Sequence, residues 1–199
     1  MTDITTPSPI IGRTINNTEV PVAGTWRIDP GHSEVAFIGR HFMLTKVRGR
    51  FTEVEGTIEI ADDPTDSTVT VTIGMASVTS GSDDRDNHLR SSDFFDVDEH
   101  PTATFRSGNV RWNRSTAKVD GELTIVGITR PVVLDVELLG MTIDPWGGGR
   151  AVFSAFTEID REDWGLTWNV ALETGGILVS KRVRIEIELE AVLDVTGSE

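Results

Sequence analysis

The sequence predicts an all-β protein whose antiparallel strands roll into one barrel. Three observations carry this. Period-two alternation of apolar and polar residues recurs from Trp26 onward, clusters of turn-forming residues separate the alternating runs at short intervals, and a single convincing helix interrupts them. Strict alternation marks a strand with one dry and one wet face. Strands that follow closely, each with one face to bury, close upon themselves. Eight or so such strands enclose a lumen that is either filled by side chains or holds one small ligand.

Residues 1–24 hold Thr, Pro, Asn and Gly with little apolar pattern, and are expected to be a flexible lead-in before a domain at 25–195. The first clear strand is "SEVAFIGRH", with Val35, Phe37, Gly39 and His41 on one face. In "KVRGRF", Val47, Gly49 and Phe51 oppose Lys46, Arg48 and Arg50; in "EVEGTIEI", Val54, Gly56, Ile58 and Ile60 share the inner face. "TVTVTIG" sets Val69, Val71 and Ile73 against three threonines. The helix is "SGSDDRDNHL", with Ser80 or Ser82 as N-cap, Ser80 and Asp83 at capping-box spacing, and Asp83, Asp84 and Asp86 in the first turn, where the helix dipole favours anions. A strand resumes near Thr102, and "VDGELTIV" and "RVRIEIELEA" complete the alternation, the latter with Val183, Ile185, Ile187 and Leu189 inward. "ADDPTDS", "WNRSTA", "VGITRP" and "DPWGGGR" provide turns. Glycines on inward faces (Gly39, Gly49, Gly56, Gly121) either let the barrel coil or make room for another group.

The 199 residues suit one domain with a full core. No cysteine is present, which removes disulfides, thiolate metal sites and cysteine nucleophiles. With 18 basic against 32 acidic residues, the net charge of −14 argues against nucleic acid as a partner and against general attraction to anionic membranes. The N-terminus carries an acid at position three and no apolar signal core, and no run is long enough to span a bilayer, so a cytoplasmic protein without stable membrane insertion is expected.

Catalytic patterns are sparse. The four histidines, His32, His41, His88 and His100, show no metal-binding spacing, and no metal or cofactor is expected. Asp86 and His88 would make an acid/base pair with Ser91 or Ser92 as nucleophile, but no G-x-S-x-G elbow is present, and a capped helix with its loop explains the same residues. Lys46, Arg48 and Arg50 would suit a phosphate, or simply a solvated strand face. "GGG" at 147–149 lacks the G-K-[ST] of a P-loop.

Taken together, "WRIDPGHSEVAFIGRHFMLTKVRGRF", "DNHLRSSDFFDVDEHPTATFRS", "GELTIVGITRPVVLDV", "DREDWGLTWN" and "GGILVSKRVRIEIELEA" resemble the YceI-like family, in order, over about 25–195. The resemblance rests on Trp26, Asp29, His32, Ser33, His41, Gly49, Phe51, His88, Leu89, Phe94, Phe95, Pro101, Thr124, Gly127, Thr129, Pro131, Arg161 and Gly165. It implies a lipocalin-like barrel of eight antiparallel strands that binds a polyisoprenoid or similar amphiphile and is not an enzyme.

On that reading a long apolar tail enters the lumen and a polar head stays at the mouth, with a short helix and loop closing part of it. The ligand is a polyisoprenoid, isoprenoid quinone or fatty amide, held as carrier, store or sensor. The expected contacts are Phe37, His41, Met43, Phe51, Phe94, Phe95, Phe105, Phe153, Trp164 and Trp168. His41, polar on an apolar face, is placed to donate to a quinone, amide or phosphate oxygen, or to a main-chain group. The alternatives are a lipid-modifying or metal-dependent enzyme using the same cavity, and a filled barrel acting as an interaction module or homodimer.

Overall fold

A computed structural model describes residues 10–171 and 177–194. Thirteen strand segments run β1 (Gly12–Ile15), β2 (Thr18–Pro21), β3 (Gly24–Ile28), β4 (Glu34–His41), β5 (Thr45–Phe51), β6 (Val54–Ile60), β7 (Thr68–Gly74), β8 (Val78–Thr79), β9 (Thr102–Asn113), β10 (Thr116–Ile125), β11 (Ile128–Ile143), β12 (Gly149–Asp160) and β13 (Arg182–Leu193). One α-helix, α1 (Asp83–Arg90), lies between β8 and β9.

Eight antiparallel ribbons close the barrel, because three pairs of segments are each one bent strand. β3 and β4 pair in succession along β13, at Ala191↔Ile28 and Ile185↔Phe37. β5 and β6 pair in succession along β4 and β3, and β8 and β7 along β5 and β6. β9, β10, β11 and β12 continue the meander, and β12 joins β13 over eleven residue pairs from Arg150↔Val192 to Asp160↔Arg182, so the ring has no open edge.

The bends are built by short side chains that take over freed backbone groups. A 3-10 turn at Pro30–His32 separates β3 from β4; Asp29 caps it by accepting from the Gly31 amide at 2.9 Å. Opposite this break, the Glu190 amide donates to Ser33 Oγ. Between β5 and β6, the Thr52 and Glu53 amides both donate to Ser77 Oγ, at 3.0 and 3.1 Å. At each break a side-chain oxygen thus takes over amides that leave the ladder.

The inward face follows the alternation read from the sequence. Val35, Phe37, Gly39 and His41 on β4, Val69, Val71 and Ile73 on β7, and Val183, Ile185, Ile187 and Leu189 on β13 all face the lumen. Two of the inward glycines make room for a ring. An added Cβ on Gly49 would lie 2.2 Å from Phe37 Cζ, and one on Gly121 would lie 2.4 Å from Phe105 Cζ. Gly56 instead sits against backbone, where a Cβ would meet the Thr70 carbonyl at 2.1 Å.

Two sequence expectations are corrected. Part of the expected unstructured lead-in is a hairpin: β1 and β2 pair from Gly12↔Pro21 to Ile15↔Thr18 around Asn16 and Asn17, whose φ values of 49° and 61° are the left-handed pair of a two-residue hairpin turn. Residues 1–9 of that lead-in lie outside the described residues. For α1, Ser82 is the N-cap but its side chain makes no capping bond, and the Ser80–Asp83 capping box does not form. Ser80 Oγ bonds the buried Asp86 carboxylate instead, and Arg85 Nε donates to Ser80 Oγ at 2.7 Å. No described helix is long and apolar enough to cross a membrane.

Candidate functional site

The two ends of the barrel differ. At one end Trp26, 1 % exposed, plugs the lumen, and its indole N–H donates to the Val22 carbonyl at 3.1 Å. Beside it, Arg150 ties three chain segments together: Nη1 donates to Asp29 at 2.7 Å and to Glu190 at 2.5 Å, and Nε donates to Asp144 at 2.9 Å. The guanidinium holds the Asp29 carboxyl below its ordinary range. Asp144 is lowered first by the Gly148 amide and then by Arg150. Asp29, His32 and Glu190 stand close enough to chelate a cation, but the charge between Asp29 and Glu190 is already supplied by Arg150.

From this plug toward the other end runs a cavity of about 580 Å³. Aliphatic and aromatic side chains from the barrel strands line its length, reaching as deep as Val110 and Trp112. Its charged groups and histidines collect at the mouth: Arg40 and His41 at the end of β4, Asp84, Arg85 and His88 on α1, and Arg161 just beyond β12.

Eight of the ten expected contacts line this cavity: Phe37, His41, Phe51, Phe94, Phe95, Phe105, Phe153 and Trp168. The adjacent Phe94 and Phe95 enter different clusters. Phe95 is buried against Phe37 and Phe51, with ring centroids 6.5 and 5.7 Å away, and forms wall. Phe94 lies at the mouth, 5.3 Å from Trp168 and 5.1 Å from His88. His88 stands edge-on to Trp168 at 4.5 Å, so these three rings form a cover over the opening.

Met43 and Trp164 do not line the cavity. Met43 is on the β4–β5 turn, left-handed at φ 60° and half exposed, so its side chain points to solvent. Trp164 ends a 3-10 turn (Arg161–Trp164) and is 2 % exposed; its indole N–H donates to the Leu123 carbonyl at 3.0 Å, which turns the ring into the barrel wall.

Arg161 was not among the expected contacts, yet it organises the mouth. It is 4 % exposed and donates to three carbonyls, those of Ser180, Leu166 and Trp168, and its guanidinium carbon lies 5.9 Å from the Phe94 ring centroid. Burial lowers its pKa, opposed by the nearby charges of Glu162 and Asp160. The signal in the sequence was a lone arginine opening "REDWG", where Gly165 takes the left-handed φ of 75° that ends the turn.

The acid/base arrangement weighed for α1 does not assemble. Asp86 bonds Ser80, while His88 Nε2 lies 2.9 Å from Asp93, and Ser91 Oγ donates to the His88 carbonyl. For Asp86, burial raises the carboxyl pKa, but hydrogen bonds from Ser80 and Thr79 outweigh it and leave it lowered. Arg48 and Arg50 lie on the outer face, paired with Glu34 and, for Arg48, Glu186. The His41 imidazole has neither hydrogen-bond nor ion-pair partner among the described residues; it packs 4.1 Å from the Phe42 ring.

Known proteins share this architecture. A UPF0312 protein of Staphylococcus aureus is 38% identical over 164 residues, covering 81% of this chain and 94% of that protein. The crystal structure of a Campylobacter jejuni YCEI protein is 29% identical with a TM-score of 0.66, covering 78% of this chain and 90% of that one. Two more distant crystal structures match in fold. Burkholderia cenocepacia BcnA has TM-score 0.69 at 21% identity, covering 82% of this chain and 98% of its own. A polyisoprenoid binding domain from Saccharophagus degradans has TM-score 0.63 at 16% identity, covering 87% and 100%. The family model described as the YceI-like domain matches residues 26–191, the whole barrel from the plug tryptophan to the closing strand, and the chain belongs to that family.

Proposed function

We propose that the protein binds a long-chain amphiphile of the polyisoprenoid kind, with the chain in the lumen and the polar head at the mouth. The observation that carries this is the cavity of about 580 Å³, lined mostly by apolar side chains, with its charged groups and histidines confined to its opening. Water is a poor occupant, because an ordered water needs two to four polar partners. A ligand chain would fill that space, and each methylene it buries contributes roughly 0.8 kcal/mol. The polyisoprenoid binding domain among the structural relatives supports the same class of ligand.

At the mouth the His41 ring, without a hydrogen-bond partner among the described residues, is offered to a quinone, amide or phosphate oxygen, and the buried cation of Arg161 favours an electron-rich head beside it. Phe94, Trp168 and His88 cover the chain once it is in place.

Native mass spectrometry of the purified protein, followed by solvent extraction and identification of what is released, tests this reading. A long-chain isoprenoid, quinone or fatty amide at near-equal stoichiometry is expected. Protein that stays unliganded after incubation with long-chain isoprenols, quinones and fatty amides would overturn it.

A further inference from the structure

We infer that the β4–β5 turn is a membrane-docking tip that seats the barrel mouth on a phospholipid surface. The inference rests on the lipid-binding reading for its purpose, though its geometry stands independently. Three large apolar side chains follow one another at this turn, Phe42, Met43 and Leu44, with 49%, 49% and 77% of their surface exposed. Phe42 and Met43 have φ values of 52° and 60°, and the Leu44 amide donates to the His41 carbonyl at 3.0 Å. These are two left-handed residues in a tight hairpin, positions that Asn and Gly fill most easily and bulky side chains fill at a cost.

The same protein shows the ordinary solution. The β1–β2 hairpin uses Asn16 and Asn17 at φ 49° and 61°. At the mouth, the left-handed pair is instead Phe and Met, with their side chains turned to water. Beyond the contact of the Phe42 ring with His41 at 4.1 Å, so much exposed apolar surface serves folding in water poorly, and the tip fits an apolar medium outside the protein.

Its position names the medium. His41, directly before the turn, lines the cavity, and Phe42 donates its amide to the Leu178 carbonyl at 2.8 Å, on the adjacent rim segment whose Val179 bridges to His41. Val170, whose carbonyl accepts from the Leu178 amide on that rim, is also exposed at 45%. Arg40 and Lys46 pair across the hairpin just behind the tip, both exposed, where lipid phosphates would meet them. A three-residue convex tip is too small for a stable protein interface, which needs roughly 800 Å² per partner, but it suits insertion between lipid headgroups. The net charge of −14 repels an anionic bilayer at long range, so apolar insertion carries the docking and phosphatidylcholine suffices.

The test uses the full chain and its Met43→Gly/Leu44→Ser variant, which keeps the Phe42 ring against His41. The substitutions supply residues that suit a left-handed turn, so the variant folds at least as well, as its thermal unfolding will show. Co-sedimentation with phosphatidylcholine vesicles is expected for the native protein and to weaken by about tenfold or more in the variant. Uptake of a fluorescent long-chain isoprenol delivered from ethanol is expected to be equal in both. Equal vesicle binding by the two proteins, or none by either, overturns the inference. Turn-dependent vesicle binding without isoprenol uptake supports the docking and overturns the lipid-binding reading instead.

Discussion

Replacing Gly49 with alanine tests how the lumen wall is made. The added Cβ would sit 2.2, 2.6 and 3.0 Å from Cζ, Cε1 and Cε2 of Phe37, the residue paired with it across β4 and β5. No real Cβ tolerates such contacts, so the ring must leave the glycine. Its neighbours Phe51 and Phe95, at 5.8 and 6.5 Å, close two directions, and the lumen is the open one. Two effects compete. Overpacking costs about 1–3 kcal/mol. Alanine narrows the unfolded ensemble and returns roughly 0.4–1 kcal/mol, since the Gly49 backbone is not left-handed. With contacts this short the steric effect is at the upper end of its range and wins, leaving a net loss of about 2–2.6 kcal/mol. For a chain of this size that lowers Tm by roughly 4–10 °C, at about 2–4 °C per kcal/mol. Because the displaced ring enters the lumen, isoprenol affinity falls as well. Differential scanning fluorimetry and fluorescence titration measure both. A double-mutant cycle with Phe37→Leu should recover most of the loss, since the smaller side chain frees the site. Unchanged Tm and affinity in Gly49→Ala would refute the claim that the ring rests on the glycine.

Phe94→Ala should speed isoprenol release in stopped-flow measurements while lowering stability only slightly; Phe95→Ala should instead cost about 3–5 kcal/mol of unfolding free energy, because Phe95 is buried wall. Saturating ligand at 100 times Kd should add about 2.7 kcal/mol and raise Tm by roughly 5–11 °C. The Arg150 cluster makes acid stability predictable in sign. Asp29 and Asp144 titrate below their unfolded values, so their contribution is complete above about pH 4 and is lost as pH falls through the lower folded values. Arg150→Met should therefore move the acid-unfolding midpoint, followed by circular dichroism, to higher pH; an unchanged midpoint would count against the cluster.

The barrel was legible because alternation is local. "RVRIEIELEA" assigns its four inward residues with no knowledge of any neighbour. The bends were not legible, because "DPGHS" and the remote Ser77 show their purpose only once Glu190, Thr52 and Glu53 lie opposite. Aromatic content near the mouth identified the right neighbourhood without giving directions. Trp164 and Trp168 are four residues apart, yet the left-handed Gly165 between them sends one into the wall and the other over the opening. The Asn16–Asn17 hairpin had a visible turn signal, outweighed by the polar composition around it.

The seam between β13 and both β12 and β3 carries a consequence for synthesis. A ribosome delivers β3 first and β13 last, so the ring stays open until Arg182–Leu193 has emerged. Until then the nascent meander shows water an apolar trough along its full length, with two raw hydrogen-bonding margins. Such non-local closure is slow and exposes the chain to aggregation meanwhile. Chaperones that shield apolar strands, or an early-arriving lipid, would act in that interval.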